Sequence, residues 1–353
     1  MIEGNDTMRL KNKDIAEALG ISTTAVSLAL NNRPGVSEST RRRVLELVSD
    51  STMEAMQNLN DEISGTTKSI LLNVHKKHGH IITDKPFFSD VVEAAQQELL
   101  RQGYNMILSH YVPEQSLSQY IQYIKGLPIA GMILMATEMD ETDLAYYKEV
   151  NVPVVLMDSI FDLEDIDSVS LDNETDLFRA VHYAVQKGHR HIGYLQSAVT
   201  INNFIHRMDG FMKGLCHFGL ENEDHPIITL PCDVQGAYNE MSAYLDQLPT
   251  DYQLPTLFLS DLDYIAFGAM SALQEHGYRI PDDVSIIGYD DVSTASVISP
   301  PLTTLRVSHA EIGRIAAKTL MDRLNQITGR PVTIRITSEL IVRDSVKSMM
   351  KSR

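Results

Sequence analysis

Short apolar runs alternate with longer helical stretches along the chain from Lys68 to about residue 345. The runs include SILLNV, NMILSH, GMILMA, VPVVLM, HIGYL, TLFLS and SIIGYDD, and amphipathic stretches such as PFFSDVVEAAQQELLRQG stand between them. Buried strands that alternate with helices are typical of parallel βαβ units. Because this alternation of strands and helices occurs in two successive series, it predicts an α/β fold with two doubly wound lobes.

The carboxyl ends of the predicted strands mark the expected ligand site. In open parallel sheets a ligand binds outside these ends, and between two lobes that place is the cleft. The sequence contains no phosphate-binding loop with a lysine, no nucleophile elbow, no HExxH and no CxxC. The sequence therefore contains none of these catalytic motifs, and neither an enzymatic activity nor a cofactor is expected.

The first fifty residues follow a different, all-α pattern. A first helix is predicted from Asn12 to Gly20, and Ser22 is placed to cap a second one. The apolar residues at helical spacing are Ile15, Ala16, Leu19, Val26, Ala29 and Leu30. Two helices of two turns each, joined by a short turn with glycine, have the sequence shape of a helix-turn-helix.

The second helix is predicted to read DNA bases. Its side away from the apolar stripe carries Thr23, Thr24, Ser27 and Leu28. In a major groove, small hydroxyl side chains hydrogen-bond to base edges, and an apolar side chain contacts the thymine methyl group. The alternative interpretation is a small capping domain with a solvated surface.

Three consecutive arginines, Arg41, Arg42 and Arg43, follow in a third helix that Ser37 is placed to cap. The formal net charge of the whole chain is −17, so the chain as a whole repels nucleic acid. The residues up to 48 nevertheless contain seven basic and six acidic side chains. We therefore expect the arginines, Arg41 in particular, to contact phosphates beside the recognition helix.

The stretch KNKDIAEALGISTTAVSLALNNRPGVSESTRRRVLELV resembles, without a gap, the DNA-binding headpiece of the lactose and galactose repressor (LacI/GalR) family. The stretches KGHRHIGYL, RMDGF, SIIGYDD and PPLTTLRV resemble the effector-binding core of that family. The resemblance implies a two-lobed fold like that of type I periplasmic binding proteins. The positions that it assigns to base or phosphate contacts are Ser22, Thr23, Thr24, Leu28, Asn31, Ser37 and Thr40.

The same resemblance implies four effector-binding residues, Phe88, Arg207, Ser260 and Asp290. Arg207 matches the arginine that binds effector oxygens, and Asp290 matches the carboxylate that accepts from ligand hydroxyls. The stretch CDVQGA lacks the aromatic residue that often stacks on a sugar or base in the family. The expected effector is a sugar or sugar derivative. The alternatives are an interlobe salt bridge for Arg207, a turn role for Asp290 and a core position for Phe88.

The segment between the two domains departs from the family. The family's hinge helix carries an arginine and a leucine where this chain has Asn60 and Glu62, and residues 49–66 contain four acids and no base. Carboxylates near a phosphate backbone oppose association, so we expect weaker operator binding from this hinge. The segment is either an amphipathic helix that packs on its dimer mate or a flexible linker.

We interpret the chain as a transcriptional regulator, most simply a repressor. Two headpieces of a homodimer would bind adjacent half-sites of a pseudo-palindromic operator in double-stranded DNA. A small-molecule effector that closes the lobes would shift operator affinity by linkage. The alternative is a cytoplasmic sensor of a small molecule or of a phosphocarrier protein, with weak DNA binding. A carbohydrate-acting enzyme is disfavoured because the catalytic motifs are missing.

The predicted domains are a helix-turn-helix headpiece over 1–50, an acidic linker over 51–67, a two-lobed domain over 68–346 and a tail over 347–353. Lobe 1 is predicted to combine about 68–160 with 292–322, and lobe 2 about 161–291 with 323–346. No secretion signal and no run of about 18 apolar residues is present, so we expect a cytoplasmic protein with no membrane partner. His189, Arg190 and His191 lack a third ligand at a suitable spacing, and no metal site is expected.

Overall fold

The computed structural model describes residues 12–30, 35–37, 40–41, 43–44, 68–79, 81, 87–327 and 329–350. The chain divides into two compact units, Met1–Thr67 and Lys68–Arg353. The predicted linker 51–67, with Asn60 and Glu62, lies outside the described residues, and so does the predicted DNA-binding residue Asn31.

Two short helices, α1 (Asn12–Leu19) and α2 (Thr23–Leu30), begin the first unit. Gly20 ends α1 with a φ of 65°, in the left-handed region that glycine adopts without strain. The core consists of the buried residues Ile15, Ala16, Val26, Ala29 and Val44, with Leu19, Ile21 and Val36 packed on them. The apolar stripes of the two helices therefore meet in one small core, as the sequence predicts.

The second unit contains two six-stranded sheets. The strands of the first sheet are β1 (Ser69–His75), β2 (Asn105–Tyr111), β3 (Ile129–Met135), β4 (Val154–Met157), β5 (Asp167–Leu171) and β11 (Thr333–Ile336). The strands of the second are β6 (Ile192–Ser197), β7 (Ile227–Leu230), β8 (Leu257–Ser260), β9 (Ser285–Asp290), β10 (Thr303–Arg306) and β12 (Glu339–Ile341). The spatial orders are β11-β5-β4-β3-β1-β2 and β12-β10-β9-β8-β6-β7. All paired strands are parallel except β12, which runs antiparallel to β10.

Helices cover the sheets, and we call each sheet with its helices a lobe. Lobe 1 contains α3 (Phe87–Arg101), α4 (Leu117–Lys125), α5 (Glu141–Tyr147) and α10 (His309–Leu324), and lobe 2 contains α6 (Asn173–Gln186), α7 (Asn202–His217), α8 (Val234–Asp246) and α9 (Asp263–Glu275). A short 3-10 turn spans Ser293–Ser296. Because helices lie on both faces, β1 is buried along its whole length. The predicted α/β architecture of two doubly wound lobes is confirmed.

The predicted lobe boundaries are wrong at three strands. β5 and β11 belong to the first sheet, although residues 161–291 and 323–346 were predicted in lobe 2. β10 belongs to the second sheet, although residues 292–322 were predicted in lobe 1. The chain crosses between the lobes after β5, after β10 and after β11, near residues 172, 307 and 337. A strand–helix pattern gives the order of elements along the chain, whereas sheet membership depends on hydrogen-bonded neighbours that are distant in sequence.

The first part of the predicted tail is packed on lobe 2. The Lys347 carbonyl accepts a hydrogen bond from His189 at 3.1 Å, and the Met349 amide donates to the Lys187 carbonyl at 2.7 Å. His189 is buried and also bonds to Thr256 at 2.9 Å. This histidine therefore holds the end of the chain onto the second sheet.

Candidate DNA interface and effector cleft

The start of α2 presents three hydroxyl side chains to solvent. Ser22, Thr23 and Thr24 are all exposed, and Ser22 caps the helix because its Oγ accepts from the Ala25 amide at 3.1 Å. Ser27 and Leu28 are half-buried on the same helix. The predicted cap is confirmed, and a helix N-terminus with exposed hydroxyl groups is suited to a polar surface such as a base edge or a phosphate.

Ser37 caps a further helical turn that carries the basic residues. Its Oγ accepts from the Thr40 amide at 3.2 Å and lies 2.8 Å from the Thr40 hydroxyl. Arg41 is half-buried and Arg43 is exposed on this turn, which Val44 anchors to the core. The cap is therefore as predicted, and it begins the helical turn on which Arg43 is exposed.

The cleft of the second unit lies at the carboxyl ends of both sheets and contains a partly open cavity of about 50 Å³, which is room for a few water molecules. Its polar lining consists of Thr137, Asp158, Asn203, Arg207, Asp290 and His309. The remaining walls are apolar, and they come from both lobes: Ile81, Val91, Met135, Met157, Leu171, Ile201, Phe204, Leu262, Val307 and Ile312.

Arg207 is the most buried charge of the cleft, with 3% of its surface exposed. It projects from α7, and its Nε donates to Asn173 Oδ1 at 2.9 Å while Nη1 donates to the Asp261 carbonyl. The guanidinium carbon lies 3.5 Å from the centre of the Tyr289 ring, which stacks beneath it. Arg207 is thus held in a fixed orientation at the cavity wall, as a residue that recognises a ligand must be.

Asp158 joins the lobes across the cleft. It follows β4 of lobe 1 with a φ of 64°, and its carboxylate accepts from the Thr137 hydroxyl at 2.6 Å. Asn203 of lobe 2 donates to the Asp158 carbonyl at 3.1 Å and to its Oδ1 at 3.2 Å. Burial raises the pKa of Asp158 because it disfavours the charged carboxylate. Sequence analysis missed this residue, although its position directly after the apolar run VVLM is the signal that marks a ligand site.

Asp290 ends β9 and Asp291 follows it, and the two aspartates have different environments. Asp290 lines the cavity with a φ of 114°, whereas Asp291, with a φ of 57°, pairs with Arg343 at 2.6 Å and with Arg306 at 2.7 Å. Left-handed φ values at non-glycine residues cost conformational energy and cluster at functional sites. The two arginine pairs hold Asp291, and in this way they direct Asp290 into the cleft.

Phe88 and Ser260 do not line the cavity. Phe88 is half-buried on α3, packs on the lobe 1 core and has its ring 5.8 Å from that of His110. Ser260 is buried and donates to the Leu262 carbonyl at 2.9 Å, so that its hydroxyl is used within the turn after β8. Leu262 reaches the cavity instead, two residues after the predicted position. Of the four predicted effector residues, the structure therefore brings Arg207 and Asp290 together.

Asp261 lies behind Arg207 and is fully buried. Its carboxylate accepts from the Tyr194 hydroxyl and from the Ser197 amide, each at 2.6 Å. Burial raises the pKa of Asp261 to about 6, more than the nearby Arg207 charge lowers it. Its ordinary value is 3.8, so the folded protein binds this proton more tightly than the unfolded chain does.

The Asp261 proton makes the stability of the protein depend on pH. The stabilising contribution of the protonated group is complete below the unfolded pKa, and it is lost as the pH rises through the folded pKa near 6. The variant Asp261→Asn lacks this titration. Between pH 5 and pH 7 we therefore expect its free energy of unfolding to rise by about 1 kcal/mol relative to that of the wild type. Urea denaturation at both pH values measures this difference. The exposed Asp251→Asn is the control, and an equal change in both variants contradicts the prediction.

Residues 12–60 match the family described as bacterial regulatory proteins, lacI family, and residues 181–346 match a periplasmic binding protein-like domain. The HTH-type transcriptional repressor PurR of Glaesserella parasuis serovar 5 (strain SH0165) is 30% identical over 347 residues, or 96% of this chain and 98% of that protein. The chain belongs to the lacI family. The resemblance found in the headpiece and in the core is thereby confirmed.

Solved structures of the lacI family share the fold over nearly the whole chain. The lac repressor dimer bound to operator and the anti-inducer ONPF has a TM-score of 0.70 and 21% identity, covering 96% of this chain and 100% of that one. The complex of the transcriptional regulator CelR with cellobiose has a TM-score of 0.69 and 22% identity, with the same coverage. This lacI-family protein thus combines a DNA-binding domain with an effector-type domain, and its curated relatives are repressors rather than enzymes.

The described residues contain neither a membrane-spanning helix nor a cluster of metal-ligating side chains. In that part of the chain, no helix has the length and apolar character needed to span a bilayer. Likewise, His, Cys, Asp and Glu side chains form no group of three or more that could hold a metal ion in the ranges described.

Proposed function

We propose that this protein is a cytoplasmic repressor that binds a pseudo-palindromic operator as a homodimer and whose affinity for that operator changes when a small molecule binds in the cleft. The exposed hydroxyl groups at the start of α2, in the same small domain as the exposed Arg43, are the observation that carries the proposal. The relatives named as repressors and the lac repressor dimer on its operator support it. One headpiece makes few contacts, and a two-fold dimer doubles them.

Within the headpiece, we assign base reading to Thr23, Thr24 and Leu28 and phosphate contacts to Ser22 and the basic turn. Hydroxyl groups donate to or accept from base edges, and the Leu28 side chain suits a thymine methyl group. Binding to DNA weakens as salt rises, and the salt slope is the slope of the logarithm of the binding constant against the logarithm of the salt concentration. Removing a cation that neutralises one phosphate lowers the magnitude of this slope by about 1. Sequence preference and salt dependence therefore separate the two roles.

A selection from random duplexes with the full-length protein, followed by mobility-shift titrations at two salt concentrations, tests the DNA-binding role. We expect Thr24→Ala to reduce the preference for the selected duplex over a scrambled one by about tenfold. We expect Arg43→Ala to weaken binding to all duplexes and to lower the salt slope by about 1. Arg314→Ala, which removes the same charge from an exposed site on α10, is the matched control.

The outcome also decides between the repressor and the sensor. A wild-type protein that selects no sequence and binds without steep salt dependence contradicts the repressor and favours the sensor of a small molecule or a phosphocarrier protein. If Thr24→Ala and Arg43→Ala bound DNA with the same sequence preference and salt slope as the control Arg314→Ala, the assignment of the interface to α2 and the basic turn would be contradicted.

For the effector we propose a neutral purine base as the first candidate. Its N–H groups suit the carboxylates of Asp158 and Asp290, its ring or carbonyl acceptors suit Arg207, and its flat faces suit the mostly apolar walls around Phe204. The name PurR of the relatives supports a purine-related ligand. A small sugar is the second candidate, because the Arg207–Asp290 pair also suits vicinal hydroxyl groups.

Thermal unfolding with a ligand panel tests the effector class. The panel contains hypoxanthine, guanine, adenine, ribose, glucose and cellobiose. A ligand that binds the native state at about 100 times its Kd adds about 2.7 kcal/mol to stability and raises the melting temperature. We expect a purine base to produce this shift. A shift with sugars alone contradicts the purine and favours the second candidate.

A further inference from the structure

A buried carboxylate that the proposed function does not use lies behind the effector cleft. Asp176 is on α6 of lobe 2 and is 0% exposed. It accepts hydrogen bonds from the Ser338 amide at 2.9 Å and the Ser338 hydroxyl at 2.6 Å. It also accepts from the Tyr289 hydroxyl at 3.0 Å. One side chain thus collects three donors from two distant segments of the chain.

These donors connect the third crossover to the floor of the cleft. Ser338 lies between β11, which belongs to lobe 1, and β12, which belongs to lobe 2. Tyr289 lies beneath Arg207, and its hydroxyl is also 3.3 Å from Asn173 Oδ1, the atom that accepts from Arg207 Nε. Asp176 is therefore joined to the effector arginine through a single tyrosine on one side and to the crossover on the other.

The chemistry of Asp176 does not fit a role in packing alone. Burial raises its pKa, more than its hydrogen bonds from Ser338 and Tyr289 lower it, and all three of its donors are neutral. A buried carboxylate without a cation is costly, and an apolar side chain of similar size fills a core position at lower free energy. The carboxylate instead provides directional hydrogen bonds, which hold the amide and the hydroxyl of Ser338 in place.

We infer that Asp176 is a latch that fixes the third crossover to lobe 2 and, through Tyr289, positions Arg207. Ser338 directly precedes β12, so Asp176 and Ser338 lie on the same side of this crossover. The two bonds to Ser338 therefore hold the lobe 2 end of the crossover against α6, beside the tyrosine that lies beneath Arg207. The link to the effector rests on the proposed function, whereas the latch itself acts without any ligand and is tested without one.

Hydrogen exchange of the full-length, ligand-free protein tests the latch at the Ser338 amide. We expect Asp176→Ala to accelerate exchange in the peptide that contains residue 338 by roughly tenfold or more, because a hydrogen bond to a charged acceptor is lost. We expect the exchange rates in β6, β8 and β9 to stay close to those of the wild type. Ser338→Ala keeps the hydrogen bond from the residue 338 amide to Asp176 and loses the one from the hydroxyl group. It should therefore accelerate exchange at residue 338 less than Asp176→Ala does, and it provides the test if Asp176→Ala folds poorly.

Asp172→Asn is the matched control, since Asp172 directly precedes the same helix and caps it by accepting from the Thr175 amide. Faster exchange throughout β6, β8 and β9 in parallel with residue 338 overturns the latch and leaves a structural role. Unchanged exchange at residue 338 overturns it as well. Hydrogen exchange is measured without DNA or effector, so a failure of the proposed function is distinguishable from a failure of the latch.

The positioning of Arg207 has its own spectroscopic readout. The Arg207 Nε–H group is buried and donates to Asn173, and its ¹⁵N–¹H signal can be assigned by its loss in Arg207→Lys. We expect Asp176→Ala to shift or broaden this signal and Asp172→Asn to leave it in place. An unmoved signal in Asp176→Ala, with faster exchange at residue 338, overturns the connection through Tyr289.

Discussion

Arg207→Ala is expected to abolish the ligand-induced rise in melting temperature and to lower the free energy of unfolding by about 3–5 kcal/mol. The arginine is almost completely buried, and its charge faces the carboxylates of Asp261 and Asp290. Its removal leaves these carboxylates without the cation that offsets their burial, and it empties the space above the Tyr289 ring. Urea unfolding and the ligand panel measure the two effects separately.

An exposed arginine provides the control for this loss. Arg314→Ala removes an ion pair with Glu311 on α10, where both side chains are 45% exposed, and such surface pairs contribute little to stability. A ligand shift that persists in Arg207→Ala places the effector site elsewhere. A stability change no larger than that of Arg314→Ala means that the carboxylates around the cleft are not held by this guanidinium.

Gly210→Ala is expected to destabilise lobe 2 by about 2–3 kcal/mol, even though alanine favours a helix interior by about 1 kcal/mol. A Cβ atom at Gly210 would lie 2.2 Å from the carbonyl oxygen of Glu174 on α6, which is backbone and cannot rotate away. One turn further along α7, a Cβ at Gly214 would lie 2.8 Å from the Val181 side chain. The two glycines therefore allow α6 and α7 to approach closely.

Gly329→Ala is the matched control for Gly210→Ala, because a Cβ atom at Gly329 meets nothing within 4 Å. Circular dichroism during urea unfolding gives both free energies. Equal stabilities of the two variants would contradict the close helix contact. Because α7 carries Arg207 and α6 carries Asp176, we also expect Gly210→Ala to weaken effector binding.

The headpiece was largely predictable from sequence because its determinants are local. Helix caps at Ser22 and Ser37 act on amides three residues away, and the apolar spacing around Ile15 and Val26 follows from the helical repeat. The cleft was predictable in part. Arg207 and Asp290 were found through the resemblance, whereas Asp158 was missed and Phe88 and Ser260 were placed in the cleft although neither side chain reaches the cavity.

The sequence by itself determined the order of strands and helices, the helix-turn-helix and the family, because periodicity, caps and motifs are properties of neighbouring residues. Only the tertiary structure decided which sheet each of β5, β10 and β11 joins and which side chains meet in the cleft. Asp176, Tyr289 and Ser338 are 49 or more residues apart along the chain. Hydrogen bonds of a few ångströms between such residues depend on how the lobes pack, and no local pattern encodes that distance.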